Sequence, residues 1–460
     1  MSEVQNLSCC IDGLDEILGG FRKPSTILIA GTAGVGKTTM SLQMLSNAAK
    51  NGEKTLYIPL TTETAGKAER LHSIYPFLDE NVQIYPISRP AAEKDPLSTL
   101  IDIGNVIASE NPDRLVIDPI TPIGFGFVEQ ERRRFFYTLD SMLKESNAFV
   151  MLTGELLEDQ IHGNVASHLT DGIIYLSKEN SGYHTAHKLK VLKMLGIEPE
   201  SRAMCTAREY SYDVSSEGFA AYPRLIVENT DGITETRIKS GIENFDLMLH
   251  GGMLAGNSML IAGEPGTGKS IFGWQFLVEG LKNGEKGIIV TYNELPQQII
   301  LEAAKLGCDL QQYVDSGSLK FIHSNPEDIH PDEHATRLKE LVESMEATRL
   351  VVDGLINLEI TFPDVIKLRG YLQRLTSYLK ARGVTSVITT ELNAEENDRI
   401  MSKDASFIMD TLVTVRQVVY SNEVKRYIRI LKCKGSKHAL NMREYTITDT
   451  GIDINCDVIR

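Results

Sequence analysis

The sequence predicts an α/β protein built from two tandem domains, each a mainly parallel sheet flanked by helices around a phosphate-binding loop. Two observations carry this. The motif G-x-x-x-x-G-K-[ST] occurs twice, in "GTAGVGKTT" (Gly31–Thr39) and "GEPGTGKS" (Gly263–Ser270). Its flanks repeat at the same shift, since Lys37 and Lys269 lie 232 positions apart and "NGEKTLYIPL" answers "NGEKGIIVTY". A period this long duplicates a whole domain, and half of 460 residues suffices for one core.

Each loop follows an apolar strand, "STILIA" or "NSMLIA", and opens a helix-like run. That context is what the motif requires, because polyphosphate needs closely spaced backbone N–H donors that a glycine turn can aim inward. Gly34, Val35, Gly36, Lys37, Thr38 and Thr39 form the first candidate cradle, and Gly266, Thr267, Gly268, Lys269 and Ser270 the second. In each, the lysine reaches the outer phosphates and a hydroxyl, Thr38 or Ser270, takes the metal ion. The expected cofactors are ATP and Mg²⁺.

A second strand follows each loop helix, "TLYIPL" and "GIIVTY". A third ends in an acid: "RLVIDP" closes on Asp118 and "RLVVDG" on Asp353. A strand-end carboxylate holds magnesium through water while the sheet fixes its position. The same acid can also merely cap a turn, and its recurrence in both halves favours the metal role. A helical run then precedes a further apolar strand, "AFVMLTGE" or "VTSVITTE", an alternation typical of parallel sheets covered by helices. The junction falls in the polar stretch "RLIVENTDGITETRIKSG", with a boundary expected near Glu235 and domains of 1–235 and 236–460.

Composition narrows the class. The net charge is −15, which argues against non-specific nucleic-acid binding through phosphate contacts. Six cysteines without a C-x-x-C pair suit a reducing cytosol, with neither a disulfide framework nor a zinc site. The first residues, "MSEVQNLSCCIDG", lack a basic region followed by an apolar core, and no run of about 18 apolar residues occurs. A cytoplasmic location, away from membranes, is expected.

The order of loop, second strand, metal acid and further strand resembles a RecA-like ATPase core. With the paired glycines of "GLDEILGG", the tandem duplication and the late basic stretches "LKMLG" and "LKCKGSKH", it resembles the KaiC family of double-domain ATPases over almost the whole chain. The resemblance implies a homohexameric ring with ATP between neighbouring subunits, a regulatory role, and protein partners that the sequence does not identify. It further implies that Lys432, Lys434, Ser436 and His438 reach the nucleotide of the next subunit from the second domain. The first domain keeps Lys193 but has Leu195 and Ile197 where the family has an arginine and a hydroxyl.

The family places two adjacent glutamates at the end of the second strand, where this chain has Thr61-Thr62 and Asn293-Glu294. An attacking water must be oriented or deprotonated for in-line transfer, which carboxylates do well. Glu294 is therefore the expected base of the second domain. Glu63, one residue out of register in the first, is a poorer base that one strand step turns to the other face. The phosphorylated Ser-Thr pair of clock members corresponds to Ser406 and Phe407, so Ser406 is either a single autokinase site or, like Ser167 in the first half, a structural hydroxyl. Clock members continue beyond the core into a partner-recruiting tail, so the ending "TDTGIDINCDVIR" argues against that interaction in its usual form. Three readings stand: a slowly hydrolysing KaiC-like regulatory ATPase, a non-catalytic nucleotide-dependent scaffold, and a recombinase or helicase relative.

Overall fold

The computed structural model describes residues 6–62, 64–88, 95–121, 128–161, 163–181, 184–195, 205–206, 208–226, 234–325, 330–359, 361–362, 365–392, 405–420 and 423–456. The chain divides into two units, Met1–Pro223 and Arg224–Arg460.

In the first unit one sheet runs, in spatial order, Gly218–Tyr222, Glu209–Ser215, His184–Met194, Gly172–Ser181, Ser25–Gly31, Phe149–Glu155, Arg114–Asp118, Thr55–Thr61 and Gln83–Ile84. From Gly172–Ser181 onward the strands pair in parallel, and the first four strands pair antiparallel. The second unit repeats the plan: Leu319–His323, Gly287–Thr291, Arg349–Asp353, Thr385–Glu391, Ser258–Gly263 and Thr411–Tyr420 are parallel, then Glu423–Cys433, Arg443–Thr448 and Gly451–Ile454 turn antiparallel. This is the RecA-like α/β architecture expected of each half.

Both faces of each sheet are covered, which is why the central strands read as unbroken apolar runs. Along the first loop strand, Ile27 and Ile29 enter one core cluster while Leu28 and Ala30 enter the other. Met259 and Ile261 likewise part from Leu260 and Ala262 in the second unit. These positions are almost wholly buried, and each large aliphatic stabilises by about 1.5–3 kcal/mol.

The repeated "NGEK" and "RLV" segments meet in space. Arg114, 1% exposed, makes a bidentate pair with Glu53 at 2.7 Å on both oxygens. Arg349, 2% exposed, grips Glu285 at 2.9 and 2.8 Å, and its remaining nitrogen donates to the carbonyls of Lys239 and Phe276. Each pair ties the turn after the loop helix to the start of the strand that ends in Asp118 or Asp353.

Candidate active site: two phosphate loops

The first loop leaves the strand Ser25–Gly31 and enters the helix Lys37–Lys50 through Gly36, whose φ of 93° is a left-handed value that glycine adopts without cost. Space is also short there, since an added Cβ would stand 2.7 Å from the Val214 side chain. The Lys37 ammonium donates to the carbonyls of Gly31 at 2.9 Å and Thr32 at 2.6 Å, so it lies along the loop. Burial lowers its pKa, against the opposing pull of Glu155 and then Asp118.

Thr38 donates to Asp118 at 2.7 Å, which brings the two expected metal ligands together. The same carboxylate accepts from Tyr57 at 2.7 Å and from Thr153 at 2.5 Å. Three hydroxyls therefore hold Asp118, which is 7% exposed, at the end of its strand. Burial and then the Asp118 charge push Tyr57 well above its ordinary pKa, so it stays a donor. Val35 and Thr39 are buried in the same turn.

The second loop repeats this with fewer ties to its acid. Gly268 has φ 85° and would bring a Cβ to 2.9 Å from Ile447. Lys269 donates to Gly263 and Glu264, both at 2.9 Å, and burial lowers its pKa against Glu391, Asp353 and Glu264. Asp353 accepts from Thr389 at 2.6 Å. Ser270 opens the helix beside Lys269, and Gly266 has its carbonyl bonded by Gln417 at 3.0 Å. A hydroxyl and a carboxylate are hard oxygen donors, the set that Mg²⁺ takes together with waters and phosphate. Among the described residues no group of three His, Cys, Asp or Glu side chains is placed to hold a metal ion.

At the end of the second strand of the second unit, Asn293 is exposed and Glu294 half-buried. Burial, followed by the charges of Asp353 and Glu302, raises the Glu294 pKa. In the first unit Thr61 closes the strand and Thr62 is exposed, while Glu63 lies outside the described residues.

Lys193 and Lys432 lie on strands paired on both sides, His184–Met194 and Glu423–Cys433, rather than on sheet edges. Lys434, Ser436 and His438 instead lie beyond the end of the second strand, in a turn and the irregular segment after it, and not on the strand expected to carry them. Lys193 donates to the carbonyls of Ser167, His168 and Thr170, and Lys432 to those of Ser406, Phe407 and Met409. Each therefore closes the carbonyl end of a short helix, Val165–Leu169 or Ala405–Ile408, that carries the candidate serine. Ser436 accepts from Arg237 at 2.7 Å, Lys434 is exposed and His438 half-buried. Ile197 lies outside the described residues.

Several site residues escape a motif search. Glu155 and Glu391 face the loop lysines from the strand beside each loop, two positions beyond Thr153 and Thr389. The shared endings "LTGE" and "ITTE" were the available signal. Tyr212 and Tyr445 donate to Val35 and Thr267 of the loops from strands about 180 residues away, which no local pattern announces.

A family model described as "ATPase: KaiC" matches residues 7–222 and again residues 238–458. The chain belongs to the KaiC ATPase family. It is 27% identical to a circadian clock oscillator protein KaiC of Picosynechococcus sp. over 98% of this chain and 90% of that protein. It is 25% identical to the circadian clock protein KaiC3 of Synechocystis sp. over 98% and 92%, and 26% identical to a KaiC of Nostoc sp. over 98% and 89%. The KaiC match thus covers both phosphate loops and both late strand groups. No helix among the described residues is long and apolar enough to cross a membrane.

Proposed function

We propose that both domains bind Mg-ATP, that the second hydrolyses it slowly, and that the nucleotide holds six copies in a cytoplasmic ring with a regulatory output. The observation that carries the reading is the duplicated site: in each half a loop lysine, a helix-opening hydroxyl and a strand-end aspartate occupy corresponding positions.

Magnesium, when bound, neutralises charge between the β- and γ-phosphates. The loop amides from Gly34 to Thr39, and from Gly266 to Ser270, receive phosphate oxygens. Lys37 and Lys269 exchange their carbonyl partners for the outer phosphates. Thr38 and Ser270 would offer the ion their hydroxyls, and Asp118 and Asp353 would hold it through water from the strand ends. Glu294 accepts the proton of the attacking water as the terminal phosphorus–oxygen bond breaks towards ADP, and Asn293 orients that water. Neither Thr61 nor Thr62 can accept the proton, so the first domain serves chiefly as a nucleotide-held assembly element unless Glu63 substitutes.

On this reading Lys432, Lys434, Ser436 and His438, and in the first domain Lys193, reach the neighbouring subunit's nucleotide, as the family resemblance implies. Exposed Lys434 is the contact least committed within its own chain, whereas Lys432 must release the helix carbonyls to reach across. Ser406, on the same short helix as exposed Phe407, is the residue we assign to autophosphorylation.

Native mass with and without Mg-ATP, coupled to phosphate release, tests the reading. A six-copy particle that requires nucleotide and releases phosphate supports it. A monomer at micromolar protein and saturating Mg-ATP rejects the ring, and DNA-stimulated turnover would favour the recombinase alternative. Tight nucleotide binding without phosphate release would favour the scaffold.

A further inference from the structure

Two tyrosines from late antiparallel strands grip the phosphate loops at corresponding points. The Tyr212 hydroxyl donates to the Val35 carbonyl at 2.7 Å, and the Tyr445 hydroxyl to the Thr267 carbonyl at 2.6 Å. Val35 and Thr267 each precede the last loop glycine, Gly36 or Gly268. Tyr212 is 3% and Tyr445 1% exposed. Tyr212 stacks on His187 at 5.1 Å and on Phe219 at 4.7 Å, while Tyr445 sets its ring edge-on to Phe272 of the loop helix at 6.0 Å. Two positions along each strand, hence on the same face, Val214 and Ile447 press on those glycines.

A trans peptide is planar, so its carbonyl and the following N–H point in opposite directions. Holding the Val35 carbonyl toward Tyr212 turns the Gly36 N–H the other way, away from the antiparallel strands. The same holds for Thr267, Gly268 and Tyr445. A glycine after such a peptide removes the steric bar to its turning over, since glycine tolerates both signs of φ. The glycine that makes the loop possible thus leaves the direction of its own N–H undecided, and a buried hydroxyl decides it.

We propose that Tyr212 and Tyr445 are positioning residues for nucleotide, each fixing the peptide before the last loop glycine so that the glycine N–H is preset as a phosphate donor. This rests on the nucleotide reading above. Burial raises both phenols, so each hydroxyl keeps the proton it donates.

The test uses the full chain in two single-site parents, Lys269→Ala for the first site and Lys37→Ala for the second. Tyr212→Phe or Tyr445→Phe is then added, which keeps the ring and removes only the hydroxyl. Titration with Mg-ATP should show affinity at the matching site about three- to tenfold weaker, because part of the loop population has the peptide turned over. Turnover at saturating Mg-ATP in the Tyr445→Phe chain should stay within about twofold, since a bound phosphate restores the peptide. The nucleotide-free melting temperature should change little. Unchanged affinity overturns the proposal, as does a fall in melting temperature with affinity intact, which would mark the hydroxyl as serving only the fold. Parents that bind no Mg-ATP would bring down the nucleotide reading and this inference with it. Parents that bind normally and ignore Tyr→Phe would overturn this inference alone.

Discussion

Thr38 donates its hydroxyl proton to Asp118 across 2.7 Å, joining residues 80 positions apart at the mouth of the first loop. The pair assembles a hard-oxygen corner before any ligand arrives. If that corner serves Mg²⁺, Asp118→Asn should weaken the magnesium dependence of ATP binding at the first site by about tenfold and leave metal-free ATP binding in place. Titrations at fixed ATP with rising Mg²⁺ check this. A variant that follows the parent's magnesium curve would reduce Asp118 to a strand-end cap.

The acids at the second strands predict a division of labour. Glu294→Gln should remove most phosphate release, on the order of a hundredfold at its site, and Glu63→Gln much less. Burial beside Asp353 raises the Glu294 pKa, and a base works only when deprotonated. Turnover should therefore start to fall at a higher pH than an ordinary glutamate would give as the solution is acidified. Equal losses from the two variants would mean that the domains are ranked wrongly.

A third expectation concerns His334, buried in the second domain between Tyr371, 2.8 Å from Nδ1, and Tyr292, 3.4 Å from Nε2. Burial, and then Arg337, lower its pKa to about 4. An unfolded histidine titrates near 6.5, so between those values the unfolded state holds more protons and stability rises with pH. The second domain should therefore lose roughly 3 kcal/mol as pH drops from about 6.5 to 4, and His334→Gln should flatten that slope. Trp274, the single tryptophan, is buried in the second loop helix, so its fluorescence follows this domain within the full chain. An equal slope in the variant would place the acid sensitivity elsewhere.

Arg349 supplies a fourth. It is far more buried than its partner Glu285, whose pKa it lowers by hydrogen bonding. Arg349→Ala should cost the second domain about 3 kcal/mol, because the guanidinium also satisfies the carbonyls of Lys239 and Phe276. With the Glu285 pKa depressed, the pair's contribution is present above the ordinary glutamate range and fades as pH falls through the lowered value. Denaturant unfolding followed by Trp274 measures both effects, and a loss under 1 kcal/mol would contradict the assignment.

The fold was legible because local sequence and long-range order agree in it. A strand, a glycine turn and a helix are contiguous, so Gly36, Lys37, Thr38 and their counterparts announce their geometry within ten residues. Asp118 and Asp353 were legible by repetition, as the ends of the repeated "RLV" strands, 81 and 84 positions after the loop lysines. The partners of Asp118 were not, because Tyr57 and Thr153 reach it only once separate strands align. Tyr57 also has no tyrosine counterpart in the second half, where Ile289 stands. Lys193 and Lys432 show the limit from the other side: their charge was plain in the sequence, but their use in closing a short helix depends on carbonyls more than twenty residues away. Hydroxyls such as Tyr212 look like any strand aromatic until the antiparallel strands fold back over the loop.

The claim on which everything else depends is that this chain carries two separate nucleotide sites. Calorimetric titration of the full chain with Mg-ATP, beside Lys37→Ala and Lys269→Ala, tests it most directly. The account predicts two nucleotides per chain, one in either variant, and the tighter of the two lost in Lys269→Ala. One nucleotide per unaltered chain, or the loss of all binding from either single change, would contradict it.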